Sequence, residues 1–138
     1  MDITDYIIKH EGTEKKGDRH IVYQCSSKRW TLGYGRNVQD RGISEAEALY
    51  LLENDIWECF KDLQTIFPEW EQLSHNCRTV LLDMRFQLGA TGFRGFKRLI
   101  QAIRTGDIEK AIQSIKESLY YKQVPNRAND NINLLREG

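Results

Sequence analysis

Apolar and polar positions recur with a helical period over most of the chain. Over residues 2–11 the apolar side chains lie three and four residues apart, which predicts an amphipathic helix. Gly12 follows directly, and glycine ends helices readily because it adopts positive φ without a steric cost. The helix is therefore predicted to end at Glu11.

The longest periodic segment begins at Ser44 and is predicted to run as one helix to about Phe67. Ser44 with Glu47 three residues later is the capping-box pattern, in which each residue bonds a free backbone N–H of the first turn. Pro68 ends the helix because it lacks an N–H and clashes with the preceding turn. The apolar stripe of this helix comprises Ala48, Leu52, Ile56, Cys59, Phe60, Leu63 and Phe67.

Shorter helices are predicted for the remainder of the chain. One begins at a Ser74 cap and ends at Gly89. The next ones cover residues 95–104, 107–122 and 126–136, the last following Pro125. The inward-facing side chains of the Ser74 helix are predicted to be Val80, Leu81, Met84 and Leu88.

Two short runs, Ile21–Tyr23 and Trp30–Tyr34, are rich in β-branched and aromatic residues and are separated by a polar segment. They predict a hairpin or small meander, with the sheet confined to residues 20–36. Gly33 and Gly35 fall in and after the second run, where glycine indicates a bend or a close approach of another part of the protein.

Polar segments flank these β-runs. Residues 13–19 are highly charged and have no large apolar side chain, so they are predicted to form a loop or hairpin tip. Residues 37–42 are predicted to be the turn out of the sheet. The pattern as a whole predicts a single α+β domain with an active-site cleft between two lobes. Its parts are a helix and sheet lobe (1–43), a connecting helix (44–68) and a helical lobe (69–138).

Composition places the chain among ordinary globular proteins. Its 138 residues include 20 Lys+Arg and 20 Asp+Glu, so the formal net charge is zero. A neutral balance offers no overall attraction to nucleic acid, and any basic face has to be local. The first residues are acidic and polar, which predicts neither a signal peptide nor membrane insertion.

The chain has three cysteines, Cys25, Cys59 and Cys77. An odd number at spacings that match no zinc motif predicts reduced thiols in the cytosol and no metal site. No cofactor is expected. Cys59 and Cys77 fall on apolar helix faces and are predicted to pack in the core.

Glu11 is a candidate for acid chemistry because of its position. A carboxylate at a helix C-terminus lies at the negative end of the helix dipole, which disfavours its charged form. A carboxyl held neutral suits a general acid, yet a surface glutamate that tolerates a small penalty fits the same position. Position alone leaves both interpretations open.

Two blocks of sequence carry a resemblance to a known family. The first joins Glu11-Gly12, the cysteine-to-threonine step, the segment WTLGYG and the helix start GIS at residues 42–44. The second holds DMRFQLG and TGFRGF, followed by a segment at residues 120–128 similar to the pattern W-Y-x-Q-x-P-N-R-A. Together they resemble the phage-type lysozymes, the family of the T-even phage endolysin, over nearly the whole chain.

The resemblance implies a muramidase, which hydrolyses the β-1,4 bond between N-acetylmuramic acid and N-acetylglucosamine in peptidoglycan. Family members carry a glutamate, then an aspartate or cysteine, then a threonine six residues on. Glu11, Cys25 and Thr31 are thereby implied as catalytic. Glu11 would protonate the leaving oxygen, and Thr31 would orient the water of an inverting displacement.

Further residues match the family's site. Arg127 is implied to pair with the catalytic glutamate, although a plain structural ion pair fits it equally. Phe86 and Gln87 are implied to line the cleft, with core packing as the alternative for Phe86. Gly33 is expected to support the site.

The chain departs from the family's pattern in three places. Cys25 stands where many members have aspartate, and it can act as a base, a nucleophile or a polar spacer. The segment between Glu11 and Cys25 is several residues longer than usual. It holds His20 and also Asp18, a rival second carboxylate. Arg36 occupies a position where histidine is common, and its expected effect is on stability.

The resemblance also implies partners and a location. We expect a monomeric endolysin that acts on peptidoglycan glycan strands and lyses bacteria. Without a signal peptide it would accumulate in the host cytoplasm and reach the wall through a membrane lesion made by a holin-type protein. Two alternatives are a module that binds glycan strands without cutting them and a structural module of a phage tail or secretion apparatus. The absence of an extra domain argues against the second.

Overall fold

The computed structural model describes residues 2–138, which cluster into two compact units. The first, called the sheet unit, ends at Tyr50, and the second, called the helical unit, runs from Leu51 to Gly138. One helix and five short strands come first along the chain and the longer helices follow, so the predicted α+β class is confirmed. The boundary between the units falls inside the long helix that begins at Glu45.

The sheet unit begins with helix α1, Ile3–Glu11. The Asp2 carboxylate caps it by accepting from the Asp5 backbone N–H at 2.9 Å. Gly12 ends the helix with φ of 64°. Both the helix and its predicted end are confirmed.

Five short strands follow α1 and form two antiparallel sheets. The predicted confinement of the sheet to residues 20–36 is wrong, because pairing starts at Lys15 and extends to Asn37. The charged segment is itself a hairpin with Gly17 at φ of 62° in its turn. The first sheet pairs β1 (Lys15–Lys16) with β2 (Arg19–His20), and the second has the order β3 (Tyr23–Gln24), β4 (Trp30–Leu32), β5 (Arg36–Asn37).

The predicted turn at residues 37–42 contains one turn of helix, α2, Val38–Arg41. The prediction missed this helix because a four-residue segment has no readable period. Its N-terminus is capped by the Asn37 side chain, which accepts from the Asp40 N–H at 3.1 Å.

Helix α3, Glu45–Ile66, has the predicted capping box. The Ser44 N–H donates to the Glu47 carboxylate at 2.8 Å, and the Glu47 N–H donates to the Ser44 hydroxyl at 3.1 Å. The apolar stripe is buried only towards the C-terminal end of the helix, where Leu63 is completely inaccessible. Leu52 and Ile56 stay 39% and 42% exposed.

The helical unit holds the core. The predicted helix ending at Gly89 breaks there, at φ of 77°, and resumes to Arg94. The single helix predicted over residues 107–122 is two helices, because the Ser118 side chain accepts from the Tyr121 N–H and starts a new one. The helices after α3 are α4 (His75–Arg94), α5 (Lys97–Thr105), α6 (Ile108–Lys116), α7 (Leu119–Gln123) and α8 (Pro125–Glu137).

Core packing follows the predicted faces. Val80, Leu81 and Met84 are fully buried, and Leu88 packs against the core from its edge. Cys59 and Cys77 are buried free thiols, as predicted, and burial raises the pKa of Cys77 to about 11. Within residues 2–138, no helix combines the length and apolar character needed to cross a bilayer.

Candidate active site

Glu11 is the last residue of α1, and its side chain lies against the backbone of Gly35. A Cβ added at Gly35 would be 2.9 Å from Glu11 Oε2, closer than real Cβ contacts. Gly35 also has φ of 85°, which side chains rarely adopt. The predicted close approach is therefore confirmed at Gly35. At Gly33, φ is 68° and the space around the Cβ position is open.

Cys25 begins the turn of the β3–β4 hairpin. Its N–H donates to the Arg29 carbonyl at 3.0 Å, and its carbonyl accepts from the Lys28 N–H at 2.8 Å. Lys28 has φ of 61°, so the loop is a three-residue connection whose last residue is left-handed. Neither bond involves the Cys25 side chain, which lies 3.1 Å from the Ser27 hydroxyl.

The Cys25 thiol is more acidic than an ordinary cysteine. Hydrogen bonds from the Ser27 hydroxyl and the Arg29 backbone lower its pKa to about 7, against an opposing contribution from burial.

Thr31 is the buried member of the predicted trio, with 2% of its surface exposed. The register pairs Tyr23 with Thr31, and the turn pairs Cys25 with Arg29. Because side chains alternate between faces, the six-residue step places Cys25 and Thr31 on the same face of the hairpin. The Thr31 hydroxyl donates its proton to the Arg29 carbonyl at 2.9 Å, which leaves its oxygen free to accept.

The segment between Glu11 and Cys25 contains the β1–β2 hairpin, and Asp18 lies exposed in its turn. The base of this hairpin is held by His20, whose Nδ1 is 2.8 Å from the Thr13 hydroxyl. The His20 ring also packs edge-on against Tyr34, with centroids 5.0 Å apart. No role was predicted for His20, because nothing in the sequence indicates that its ring contacts Tyr34, the residue before Gly35.

Arg127 binds Asp83 within the helical unit. Its Nε donates to both carboxylate oxygens at 3.1 and 3.0 Å, and Nη2 also donates to Asp83. Asn131 joins Asp83 to the Tyr120 hydroxyl by two 3.0 Å bonds. Burial raises the pKa of Asp83, but the bonds from Arg127 and Asn131 outweigh it and hold that pKa below its usual value. The pairing of Arg127 with Glu11 stays a prediction.

Phe86 and Gln87 lie on α4 just before the break at Gly89. Phe86 is 42% exposed, so the alternative of core packing is wrong for this residue. Gln87 is also exposed. Both side chains are accessible to a ligand, and their role in binding one stays a prediction.

Arg36 makes a bidentate ion pair with Glu47. Its Nη1 lies 3.0 Å from one Glu47 oxygen and its Nη2 lies 2.9 Å from the other. The Arg36 hydrogen bond is the main reason that the pKa of Glu47 falls to about 2. The pair connects β5 to the capping box of α3, which agrees with the expected effect of Arg36 on stability.

The candidate site is not extended by a metal-binding cluster or by the cavity described next. Among residues 2–138, no group of three His, Cys, Asp or Glu side chains could hold a metal ion. A cavity of about 560 Å³ in the helical unit is lined by Leu88, Phe96 and Tyr120 among others. None of the predicted site residues lines it.

Comparison with known proteins gives a family match and two relatives. Residues 10–128 match the phage lysozyme family. The chain is 32% identical over 89 residues to the pre-baseplate central spike protein Gp5 of Enterobacteria phage T4, covering 62% of this chain and 16% of that protein. It is 28% identical over 98 residues to a probable T4-type lysozyme 1 of Dictyostelium discoideum, covering 69% of this chain and 56% of that protein.

The matched segments thus span about half, or less, of the length of these relatives. The family match, by contrast, covers most of this chain and runs from the residue before Glu11 to the residue after Arg127. It includes every predicted site residue, and the chain belongs to the phage lysozyme family.

Proposed function

We propose that this domain is a muramidase that hydrolyses the β-1,4 bond between N-acetylmuramic acid and N-acetylglucosamine in peptidoglycan. The observation that carries the proposal is the β3–β4 hairpin, which holds Cys25 and the Thr31 hydroxyl on one face. Membership of the phage lysozyme family supports the same chemistry.

In this reaction Glu11 is the general acid. A glycosidic oxygen leaves poorly unless it is protonated, so a neutral carboxylic acid has to reach it. Gly35 leaves room for the Glu11 side chain, because any Cβ there would overlap the carboxyl. Thr31 accepts a hydrogen bond from the attacking water, and the Cys25 thiolate takes the proton of that water in an inverting displacement.

The first test is Glu11→Gln, which keeps the shape of the side chain and removes the acid. We expect the release of reducing ends from purified peptidoglycan to fall by about 100-fold or more, since a positioned acid contributes about 10²–10⁴-fold. Glu14→Gln is the matched control, because Glu14 is an exposed glutamate three residues along the chain. Full activity in Glu11→Gln would overturn the assignment of the acid.

The second test compares Cys25→Ser with Cys25→Asp. If Cys25 acts as an anion or base, Asp restores turnover and Ser does not, because a serine hydroxyl is neutral over the working pH range. Equal activity of both variants would make the position a polar spacer. The pH profile separates them further, since activity of the natural protein falls as pH drops through about 7 while that of Cys25→Asp persists to lower pH.

A lysozyme-fold module that binds glycan strands without cutting them is the second candidate. The β1–β2 hairpin favours it, because this insertion separates Glu11 from Cys25 along the chain. Co-sedimentation with insoluble peptidoglycan and no release of reducing ends would be its signature. The match to a phage spike protein also suggests a structural setting, in which the same domain is part of a larger phage protein.

The proposed biological role is lysis of a bacterial host by a monomeric enzyme. The protein is expected to accumulate in the cytoplasm and to reach peptidoglycan through a lesion made by a holin-type protein. Expression with and without a co-expressed holin tests this route. Lysis only with the holin supports it, and lysis by the protein alone contradicts it.

A further inference from the structure

The three-residue turn after Cys25 brings the Ser27 side chain within hydrogen-bond distance of the Cys25 sulfur. Ser27 is the middle residue of this turn, and its hydroxyl oxygen lies 3.1 Å from Cys25 Sγ. Two backbone hydrogen bonds close the turn. The Cys25 N–H donates to the Arg29 carbonyl, and the Lys28 N–H donates to the Cys25 carbonyl. These bonds fix the backbone of the turn and bring the Ser27 side chain to the same side as the Cys25 sulfur.

The direction of this contact follows from the charge of the sulfur. A thiolate has no proton to give, so the Ser27 hydroxyl has to be the donor when Cys25 is ionised. A hydrogen bond to the charged form of a group favours that form. When Cys25 ionises, its proton goes to solvent and the Ser27 proton stays on its own oxygen.

We propose that Ser27 is a positioning residue for Cys25, whose hydroxyl orients the sulfur at the end of β3 and keeps it ionised. In the natural protein it would let a thiol occupy a position where other members of the family have a carboxylate. For its effect on turnover the inference rests on the proposed function. Its effect on the thiol does not.

Charged groups in the same hairpin are the competing explanation for an ionised sulfur. They are Lys28 in the turn and Arg29 beside it. Arg29 is engaged with Asp40, at 3.5 Å from Nε to the carboxylate. Of all contributions to the low pKa of Cys25, the Ser27 hydroxyl is the largest.

The test is the pH dependence of Cys25 alkylation by iodoacetamide, followed by mass spectrometry of the Cys25 peptide. Only the thiolate reacts, so the midpoint reports its ionisation. We expect a midpoint near pH 7 for the natural protein. In Ser27→Ala it should rise by about one pH unit towards the ordinary value of about 8.5, and alkylation at pH 7 should slow about five-fold.

Three variants control for structure. Ser26→Ala removes the neighbouring, exposed hydroxyl and should leave the midpoint unchanged. Ser27→Thr keeps a hydroxyl and should stay near the natural midpoint. Ser27→Gly removes the hydroxyl together with Cβ and should move the midpoint as Ser27→Ala does. Cys59 and Cys77 are buried, so their alkylation would reveal a variant that has unfolded.

Turnover measurements separate the inference from the proposed function. The acid limb of the pH profile should move upward in Ser27→Ala with KM unchanged, and Ser27→Ala should have no such effect in a Cys25→Asp background. A midpoint that moves in an inactive protein supports the role of Ser27 and overturns the proposed function. An unchanged midpoint in folded Ser27→Ala and Ser27→Gly overturns the inference, whatever the activity.

Discussion

The two units of this protein keep their shape by different means. In the helical unit about twenty apolar side chains pack into one buried cluster. In the sheet unit, over residues 2–50, Thr31 is the single buried side chain. The sheet unit instead depends on caps, tight turns and ion pairs such as Arg36 with Glu47.

This difference matches what each unit has to provide. A packed core resists deformation and supplies most of the folding free energy. Turns and hydrogen bonds place individual atoms, which a site needs, but contribute little net stability each. Glu11 lies at the end of α1 and Cys25 begins a hairpin turn, while Thr31 is placed by the register of β4. Substitutions in the two units should therefore separate stability from activity.

The largest expected effect is on the core of the helical unit. Leu81 is fully buried, so Leu81→Ala should lower the free energy of unfolding by about 3–5 kcal/mol through lost contacts and a cavity. Leu49→Ala is the matched control in the sheet unit, where Leu49 is 47% exposed, and should change it by less than about 1 kcal/mol. Urea denaturation measures both. Equal losses would mean that the two units do not differ in packing.

The second largest effect is expected on kcat, through the position of the Glu11 carboxyl. Gly35→Ala forces a methyl group against the Glu11 carboxyl and into an unfavourable φ, so kcat should fall about ten-fold or more. Gly42→Ala is the control, because Gly42 has a similar positive φ, 63°, with open space around the Cβ position. Backbone strain should lower the free energy of unfolding of both variants by about 1–2 kcal/mol. A comparable loss of kcat in the two would remove the argument for Gly35.

The smallest effect concerns charge in the helical unit. Asp62 binds Arg85 at 2.7 Å and Arg94 at 2.8 Å, and the bonds from Arg94 contribute most to lowering its pKa to about 2. Because the folded pKa is below the unfolded value of about 3.9, the carboxylate stabilises the fold above about pH 4. That stability is lost as pH falls through about 2.

Asp62→Asn should therefore lower the free energy of unfolding by about 1–2 kcal/mol at pH 6, with a discount for the 44% exposure of Arg94. The difference in free energy of unfolding between Asp62→Asn and the natural protein, measured by urea denaturation, should become smaller between pH 4 and pH 2. Asp55→Asn, on the exposed side of the same helix, serves as control. A gap that does not depend on pH would contradict an electrostatic origin.

The helices were predictable where a long period and a cap coincide. Ser44 with Glu47 marked the start of α3, and Pro68 lies two residues beyond its end. Helix α2 was not predictable, because it is too brief for a period to form, and the charged segment before the predicted sheet was predicted only as a loop or hairpin tip. The split at Ser118 was missed because an apolar pattern continues across it while the serine side chain restarts the backbone.

The candidate site was predictable in its residue types but only partly in its contacts. The cysteine-to-threonine step reads directly from the sequence, and antiparallel pairing turns it into a shared face. The contact of Glu11 with Gly35 joins residues far apart in sequence and has no local signal beyond the glycine itself. The Arg127 bond to Asp83 likewise spans two helices, and each residue alone is an ordinary charged position.

The sequence by itself determined the end of α1, the capping box that starts α3, the buried face of α4 and the six-residue step from Cys25 to Thr31. These follow from interactions between residues close along the chain, whose geometry is nearly the same in every protein. Only the tertiary structure decided which side chains stay exposed, what Glu11 and Arg127 contact, and that Ser27 lies on the Cys25 sulfur. Such contacts depend on how turns orient side chains in space, and the pattern of apolar and polar residues does not encode that orientation.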